Sequence, residues 1–384
     1  MTSTTILERL GDTTVARFMQ RHWQRRPALI RAALPGFTPP MDPAQLFALA
    51  SRDDIESRLV TAFGGRWQLE HGPFSRLPAR RRRAWTLLVQ GVDLHHDAMH
   101  RLLQRFRFVP DARLDDLMVS FATDGGGVGP HTDSYDVFLL QAHGTRRWRI
   151  APPGDETLQP GRPVKLLQRF APTQEWALEP GDMLYLPPGW GHDGVAIGEC
   201  MTFSIGFRAP SRHEFLSAFL AEAADGPRGA DPRFSDRGRR PTRRPGEVPG
   251  DLARQLRRWA LDWRAPGADV DAFIGRFLTE PKRDVWFERP PRLARGRFVA
   301  QTGRRGLELD RRTRMAWRGT RVFVNAESTE PAAVARSWLR RLADRRALSA
   351  VQCQQALADA GLADILHGWY TSGWLTLGPP AVRG

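Results

Sequence analysis

His131 and Asp133 stand two residues apart in a region of strand character. If that strand continues through them, period-two alternation sends both side chains to the same face, which is a metal-ligand spacing. A third ligand must come from elsewhere. His192 lies well downstream, just past Glu179-Pro180-Gly181-Asp182-Met183-Leu184-Tyr185-Leu186-Pro187-Pro188. A Pro-Gly-Asp turn, a short apolar strand and a proline-rich bend would return the chain, and the histidine with it, to the mouth of a small barrel. Two imidazoles and one carboxylate on one face leave coordination positions open, which suits non-haem Fe(II) oxygen chemistry. Singly, these residues say little, because His-x-Asp occurs by chance and a lone histidine is more often a surface or satisfied core residue. Their order along the chain carries the reading.

A candidate co-substrate residue lies between the ligands. Gly144-Thr145-Arg146-Arg147-Trp148-Arg149-Ile150 reads as a strand with Arg146, Trp148 and Ile150 on one face and Arg147 and Arg149 on the other. An arginine pointing with a buried tryptophan into a barrel needs an anionic partner, because an unpaired buried charge is very costly. A dicarboxylate such as 2-oxoglutarate would supply one. With the opposite phase Arg146 would be solvated instead. The glycine-rich run from Gly125 to Gly129 is not a phosphate loop, since no Gly-Lys-Ser/Thr follows it. It is either a tight turn or a place where backbone approaches a ligand beside His131.

These residues need a scaffold, and strand signals dominate from Leu117 to Phe207: Leu117–Phe121, Val137–Gln141, Arg146–Ala151, Glu175–Leu178 and Met183–Leu186, separated by turn residues. Many short strands at regular spacing predict a sandwich or barrel. Ahead of them, residues 1–30 carry a helical, amphipathic pattern, and another helical stretch covers 93–108. A Pro/Gly/Arg-rich run over 226–250 reads as a linker. Beyond it come helical segments at Leu252–Trp263 and Val270–Leu278, a hairpin over Arg314–Val324, helices at Pro331–Ala347 and Ser349–Ala360, and a closing strand at Trp374–Leu377. Helices plus a small hairpin have the outline of a winged helix.

A chain of 384 residues with 41% hydrophobic content can fill two or three cores. No apolar run approaches the roughly 20 residues needed to cross a bilayer, and the first residues lack the pattern of a secretory signal, so a cytoplasmic, non-membrane protein is expected. Cys200 and Cys353 form neither a disulfide framework nor a metal pair. The net charge of +15 predicts attraction to polyanions, although the bias to arginine, with Lys165 and Lys282 the only lysines, fits genomic base composition as well.

The chain resembles the bacterial JmjC-type ribosomal oxygenases that act as arginine 3-hydroxylases on the large-subunit ribosomal protein L-sixteen. The matching text is Asp115-Asp116-Leu117-Met118-Val119-Ser120-Phe121, then GGGVGPHTDSYDVFLLQ from Gly125, GTRRWRI from Gly144, EPGDMLYLPPGWGHDG from Glu179 and SIGFRAP from Ser204. FMQRHWQRRPALI from Phe18 echoes the family's lead-in, and the C-terminal half matches more loosely. The resemblance implies a mainly β core with α additions: a double-stranded β-helix (cupin/JmjC) barrel over 94–210 behind a lead-in at 1–93, a helical dimerisation region at 211–280 and a C-terminal winged-helix-like domain at 281–384. It implies His131, Asp133 and His192 as iron ligands and Arg146 on the far carboxylate of 2-oxoglutarate. Ser120, Thr202 and Ser204 would neighbour the co-substrate, with Thr202 standing where relatives carry an amide side chain. Asp116 and Tyr135 would hold the substrate arginine as carboxylate and aromatic wall.

The cofactors so implied are Fe(II), 2-oxoglutarate and O2, with ascorbate as an aid. The partners are a ribosomal protein substrate, ribosomal RNA as a further contact, and a second copy of the chain in a homodimer. The alternatives are a JmjC-type demethylase, a hydroxylase of another protein or of RNA, and a cupin-like binding protein that does no oxidation.

Overall fold

In this computed structural model, residues 5–225, 269–282 and 285–379 are described, with isolated positions at 252, 254 and 258. The expected linker over 226–250, and nearly all of the expected helix at Leu252–Trp263, lie outside the described residues.

The lead-in differs from the helix expected over residues 1–30. Strands β1 (Arg9–Leu10) and β2 (Thr13–Thr14) form a short ladder, helix α1 (Val15–Arg21) follows, and β3 (Ala28–Ile30) closes the segment. Gly11 is the cause: it takes φ +52°, and a Cβ there would lie 2.8 Å from the Arg31 carbonyl, so the chain turns where a helix would have continued. Thr14 then caps α1 by accepting from the Arg17 amide.

Helix α2 (Pro43–Ala50), capped by Asp42, leads into β4 (Ser57–Phe63), β5 (Arg66–His71) and β6 (Trp85–Val89). After helix α3 (Asp97–Gln104) come β7 (Leu114–Ala122), β8 (Asp136–Ala151), β9 (Gln174–Leu178), β10 (Met183–Leu186) and β11 (Gly191–Phe207). Nine of these strands make one antiparallel sheet in the order β3-β10-β8-β11-β7-β6-β4-β5, with β9 pairing on β8. Strands from residues 57–89 therefore belong to the same sheet as those from 114–207.

Two expected strands, Val137–Gln141 and Arg146–Ala151, are one continuous β8. The intervening Gly144 bends without breaking it, because its missing side chain lets Glu199 of β11 approach; a Cβ there would meet the Glu199 carbonyl at 1.9 Å. Along the first half of β8, Phe138, Leu140 and Ala142 join the main core with Phe121, Tyr185, Phe203 and Phe207. Val137 and Leu139 join a second cluster with Trp148, Ile150, Leu184 and Leu186. Both faces are thus covered, and each fully buried large side chain contributes about 1.5–3 kcal/mol. Such burial fixes the pairing register, since a one-residue slip would exchange the two clusters.

Helices α4 (Arg212–Asp225) and α5 (Val270–Thr279) follow the barrel and meet through Phe215, Phe219, Phe273 and Phe277. Beyond them come α6 (Arg295–Arg305), β12 (Leu307–Leu309), β13 (Met315–Arg318), β14 (Arg321–Val324), β15 (Glu327–Thr329), α7 (Ala333–Arg345), β16 (Ala347–Leu348), α8 (Ala350–Ala356), α9 (Ala360–Thr371) and β17 (Leu375–Leu377). Sheets β16-β12-β17 and β13-β14-β15 enclose a separate core around Phe298, Leu339, Leu342, Leu362 and Leu366. The expected hairpin is present, with Gly319 and Thr320 at its turn. The helix expected over Ser349–Ala360 ends at Ala356, because Asp359 caps a new helix by accepting from the Leu362 amide.

Candidate active site

His131 and Asp133 do not lie on a strand. They sit in the loop between β7 and β8, where His131 makes a single bridge to His192 at the start of β11. Each backbone amide donates to the other's carbonyl, at 3.0 and 2.8 Å. The loop is held in place by glycines. Gly129 has φ +78°, and a Cβ there would meet Leu166 at 2.3 Å. Gly126 and Gly127 pack against backbone carbonyls of β6 and β11, so the run makes its close approach to strands.

The ligand atoms of His131, Asp133 and His192 all lie within 4.8 Å of one another, and the Nε2 of His192 is 3.6 Å from the Asp133 carboxylate. Nδ1 of His131 is 2.9 Å from the Gly129 carbonyl, and Nδ1 of His192 is 3.0 Å from that of Trp190. A carbonyl only accepts, so each Nδ1 carries the proton and each Nε2 presents a lone pair. Burial, then the neighbouring His131, pushes the His192 imidazole down to about 4, which keeps it neutral. The donor set fits a divalent metal with open positions.

Arg146 and Trp148 point inward from β8 while Arg147 is exposed, the phase expected from the sequence. Nη1 of Arg146 donates to Ser120 on β7 at 3.1 Å. Its Nε and Nη2 are buried without a hydrogen-bond partner among the described residues, as is Nε1 of Trp148. A guanidinium left half-satisfied in the interior calls for an anionic ligand. The same cavity, of about 220 Å³, is lined by the three ligand residues, Arg146, Trp148, Ser120 and Ser204. The residues therefore fit a metal together with a carboxylate-bearing co-substrate. Thr202 is absent from this lining; its hydroxyl donates to Gln141 at 2.9 Å, one layer behind.

Asp116 and Tyr135 line the other end of the cavity. The Asp116 Oδ2 accepts from Gln90 at 2.6 Å and from the Gly91 amide at 3.1 Å, and lies 3.2 Å from the Lys282 ammonium. Its Oδ1 has no hydrogen-bond partner among the described residues and faces the space beside Gly206 and the Tyr135 ring. Burial, together with Asp133 and Asp116, raises the Tyr135 phenol, so it stays protonated. Sequence reasoning missed Gln90 and Lys282, and it met Gly206 only as part of SIGFRAP, with no role attached. Gln90 follows an apolar strand, Gly206 lies within one, and Lys282 reaches the cavity wall from beyond α5.

The JmjC domain family matches residues 101–215, and the ROXA-like winged helix family matches residues 262–376. The ribosomal protein uL16 3-hydroxylase of Escherichia coli (strain K12) is 34% identical over 372 residues, covering 93% of this chain and 96% of that protein. The X-ray structure of E. coli ycfD superposes with a TM-score of 0.82 at 32% identity, over 96% of this chain and 100% of that one. YcfD, a ribosomal oxygenase from E. coli in complex with cobalt and 2-oxoglutarate, superposes with a TM-score of 0.81 at 31% identity, over 97% and 100%.

Proposed function

Because the chain belongs to the JmjC-domain ribosomal oxygenases, the family of the E. coli ribosomal protein uL16 3-hydroxylase, we propose that it is an Fe(II)- and 2-oxoglutarate-dependent oxygenase that hydroxylates an arginine side chain of ribosomal protein uL16. The observation that carries this reading is one cavity holding three metal-ligand side chains at one point and a buried, half-satisfied guanidinium at another. Bound iron, 2-oxoglutarate and O2 supply the oxidising power that converts a C–H bond to C–OH, with succinate and carbon dioxide released.

The chain's own residues do the rest. His131, Asp133 and His192 would hold the metal through two neutral Nε2 atoms and a carboxylate. Arg146 would take the far carboxylate of 2-oxoglutarate on its Nε and Nη2, while Ser120 keeps the third nitrogen in place. Ser204 borders the same space, and Thr202 steadies the wall through Gln141. Asp116 Oδ1 would accept from the substrate guanidinium, and the Tyr135 ring would flank it.

The homodimer is assigned to the region of α4 and α5, where Leu216 and Leu220 are exposed. The charge of +15 supports a ribosomal RNA contact. Among the described residues no helix is long and apolar enough to cross a membrane, and a ribosomal substrate accords with a cytoplasmic location.

The test is succinate formation from 2-oxoglutarate under Fe(II) and air, with and without a peptide from the arginine loop of uL16, read with a one-oxygen mass gain on the peptide. Peptide-stimulated turnover that disappears in His131→Ala is the expected result. Turnover without a mass gain discards the substrate, and no turnover with iron bound discards the oxygenase.

A further inference from the structure

The carboxylate assigned to the substrate already has a cation. Lys282 Nζ lies 3.2 Å from Asp116 Oδ2 and 3.2 Å from Asp115 Oδ1. Arg314, from the hairpin side of the C-terminal unit, places Nη2 at 3.4 Å from the same Asp115 oxygen. Asp116 and Asp115 therefore both have a cation beside them before any substrate arrives, with Arg208 also acting on Asp115 and the buried Asp93 acting on Asp116. Burial works against the charge on Lys282, but the attraction of Asp116 and Asp115 outweighs it and the ammonium is held above its ordinary range.

Geometry divides the two oxygens of Asp116. Oδ2 is committed to Gln90, the Gly91 amide and Lys282, whereas Oδ1 faces the cavity beside Gly206. A guanidinium at Oδ1 would be a second cation on the same carboxylate. It gains the attraction of Asp116 but is repelled by Lys282 across a few ångströms of partly buried space, where like charges interact more strongly than in water.

We propose that Lys282 is a specificity-determining residue: an internal counter-cation that shares Asp116 with the substrate arginine and limits how strongly the site attracts positive charge. This rests on the assignment of Asp116 to the substrate guanidinium. It also gives the C-terminal region a part in substrate selection, since Lys282 and Arg314 both come from beyond α5. A carboxylate already paired at rest does not collect every basic side chain in a ribosomal environment, and it leaves fit to the cavity as the main criterion.

The test compares the full-length protein with Lys282→Met, Lys282→Gln and Lys282→Arg. Binding of the uL16 arginine peptide, and of the same peptide with the neutral isostere citrulline at that position, is measured by calorimetry with Fe(II) and 2-oxoglutarate in the absence of oxygen. Removing the charge should tighten arginine-peptide binding about tenfold and widen the arginine-over-citrulline ratio by a similar factor, with Lys282→Arg close to wild type. Lys282 is about a third exposed, so the variants should fold, and melting curves check this. Weaker or unchanged arginine binding in both neutral variants overturns the inference while leaving the substrate assignment standing. If neither wild type nor the neutral variants prefer arginine to citrulline, the assignment of Asp116 falls, and the inference falls with it.

Discussion

The backbones of His131 and His192 hydrogen-bond to each other in both directions, at 3.0 and 2.8 Å, so two of the proposed metal ligands are tied together through the main chain. The pairing does not depend on the imidazoles. His131→Ala and Asp133→Ala should therefore keep the fold while losing the metal. The expected outcome is loss of the visible absorption bands of bound Co(II), with the metal-free melting temperature within a few degrees of wild type. Stoichiometric Co(II) binding by either variant would contradict the ligand set.

Arg146 has two buried nitrogens without a hydrogen-bond partner among the described residues, and the carboxylate proposed to bind there would supply one. Arg146→Met should raise the KM for 2-oxoglutarate roughly 10- to 100-fold, the effect of removing charge-assisted hydrogen bonds. It should also raise the melting temperature of the protein without co-substrate, because two buried unpartnered nitrogens disappear. A variant that is destabilised and still shows normal 2-oxoglutarate kinetics argues that Arg146 is structural.

Gly206 keeps the space beside Asp116 open. A Cβ there would be 3.6 Å from Asp116 Oδ1 and 3.9 Å from Tyr135, so alanine is tolerated and a larger side chain fills the slot. Gly206→Leu should abolish peptide hydroxylation by mass spectrometry while Co(II) binding persists. Normal hydroxylation would place the substrate elsewhere.

Asp93 gives a pH signature. Burial, then Asp116, raises its carboxyl to about 7 from the ordinary 3.8 of an aspartate, although its Oδ1 accepts from the Leu117 amide. The folded protein therefore binds an extra proton between these two values, and the stability associated with the neutral acid is fully present below about 4 and lost as pH rises through about 7. Asp93→Asn keeps an acceptor for Leu117 and carries no charge. Its stability relative to wild type should increase from pH 5 to pH 8, by an amount on the order of 3 kcal/mol at most, since only about two pH units of that window lie below the raised value. Denaturant melts across that range check this, and a pH-independent difference contradicts it.

The cluster of His131, Asp133 and His192, and the inward phase of Arg146, are legible in the sequence for different reasons. His131, Asp133 and His192 were recognisable from residue type and order, yet the strand assumed to run through the first two is a loop, because its one bridge comes from a distant partner. Arg146 was legible because alternation along β8 holds in the structure. Alternation assigns a face but not a depth, so Thr202 and Ser204 read alike. Only the structure separates them, through the Gln141 side chain opposite Thr202. Lys282 left no periodic trace, since a single long side chain reaching across from another unit has no pattern in its own neighbourhood. The first 30 residues read as one helix because α1 has the same apolar recurrence as a longer one, whereas the turn at Gly11 leaves no mark on that recurrence.

The pairing of β8 with β11 works as a measuring rule. His192 is opposite Ile150 and Ala196 is opposite Arg146, so the proposed metal end and the proposed carboxylate anchor lie four residues apart on adjoining strands, about 13 Å at strand rise. With both faces of the neighbouring strand buried, that spacing cannot slide to suit a shorter or longer diacid. The ladder thus fixes the two backbone anchors from which the His192 and Arg146 side chains reach toward each other, and malonate-to-adipate homologues offered in turn should bind with a single optimum if those side chains hold the two ends.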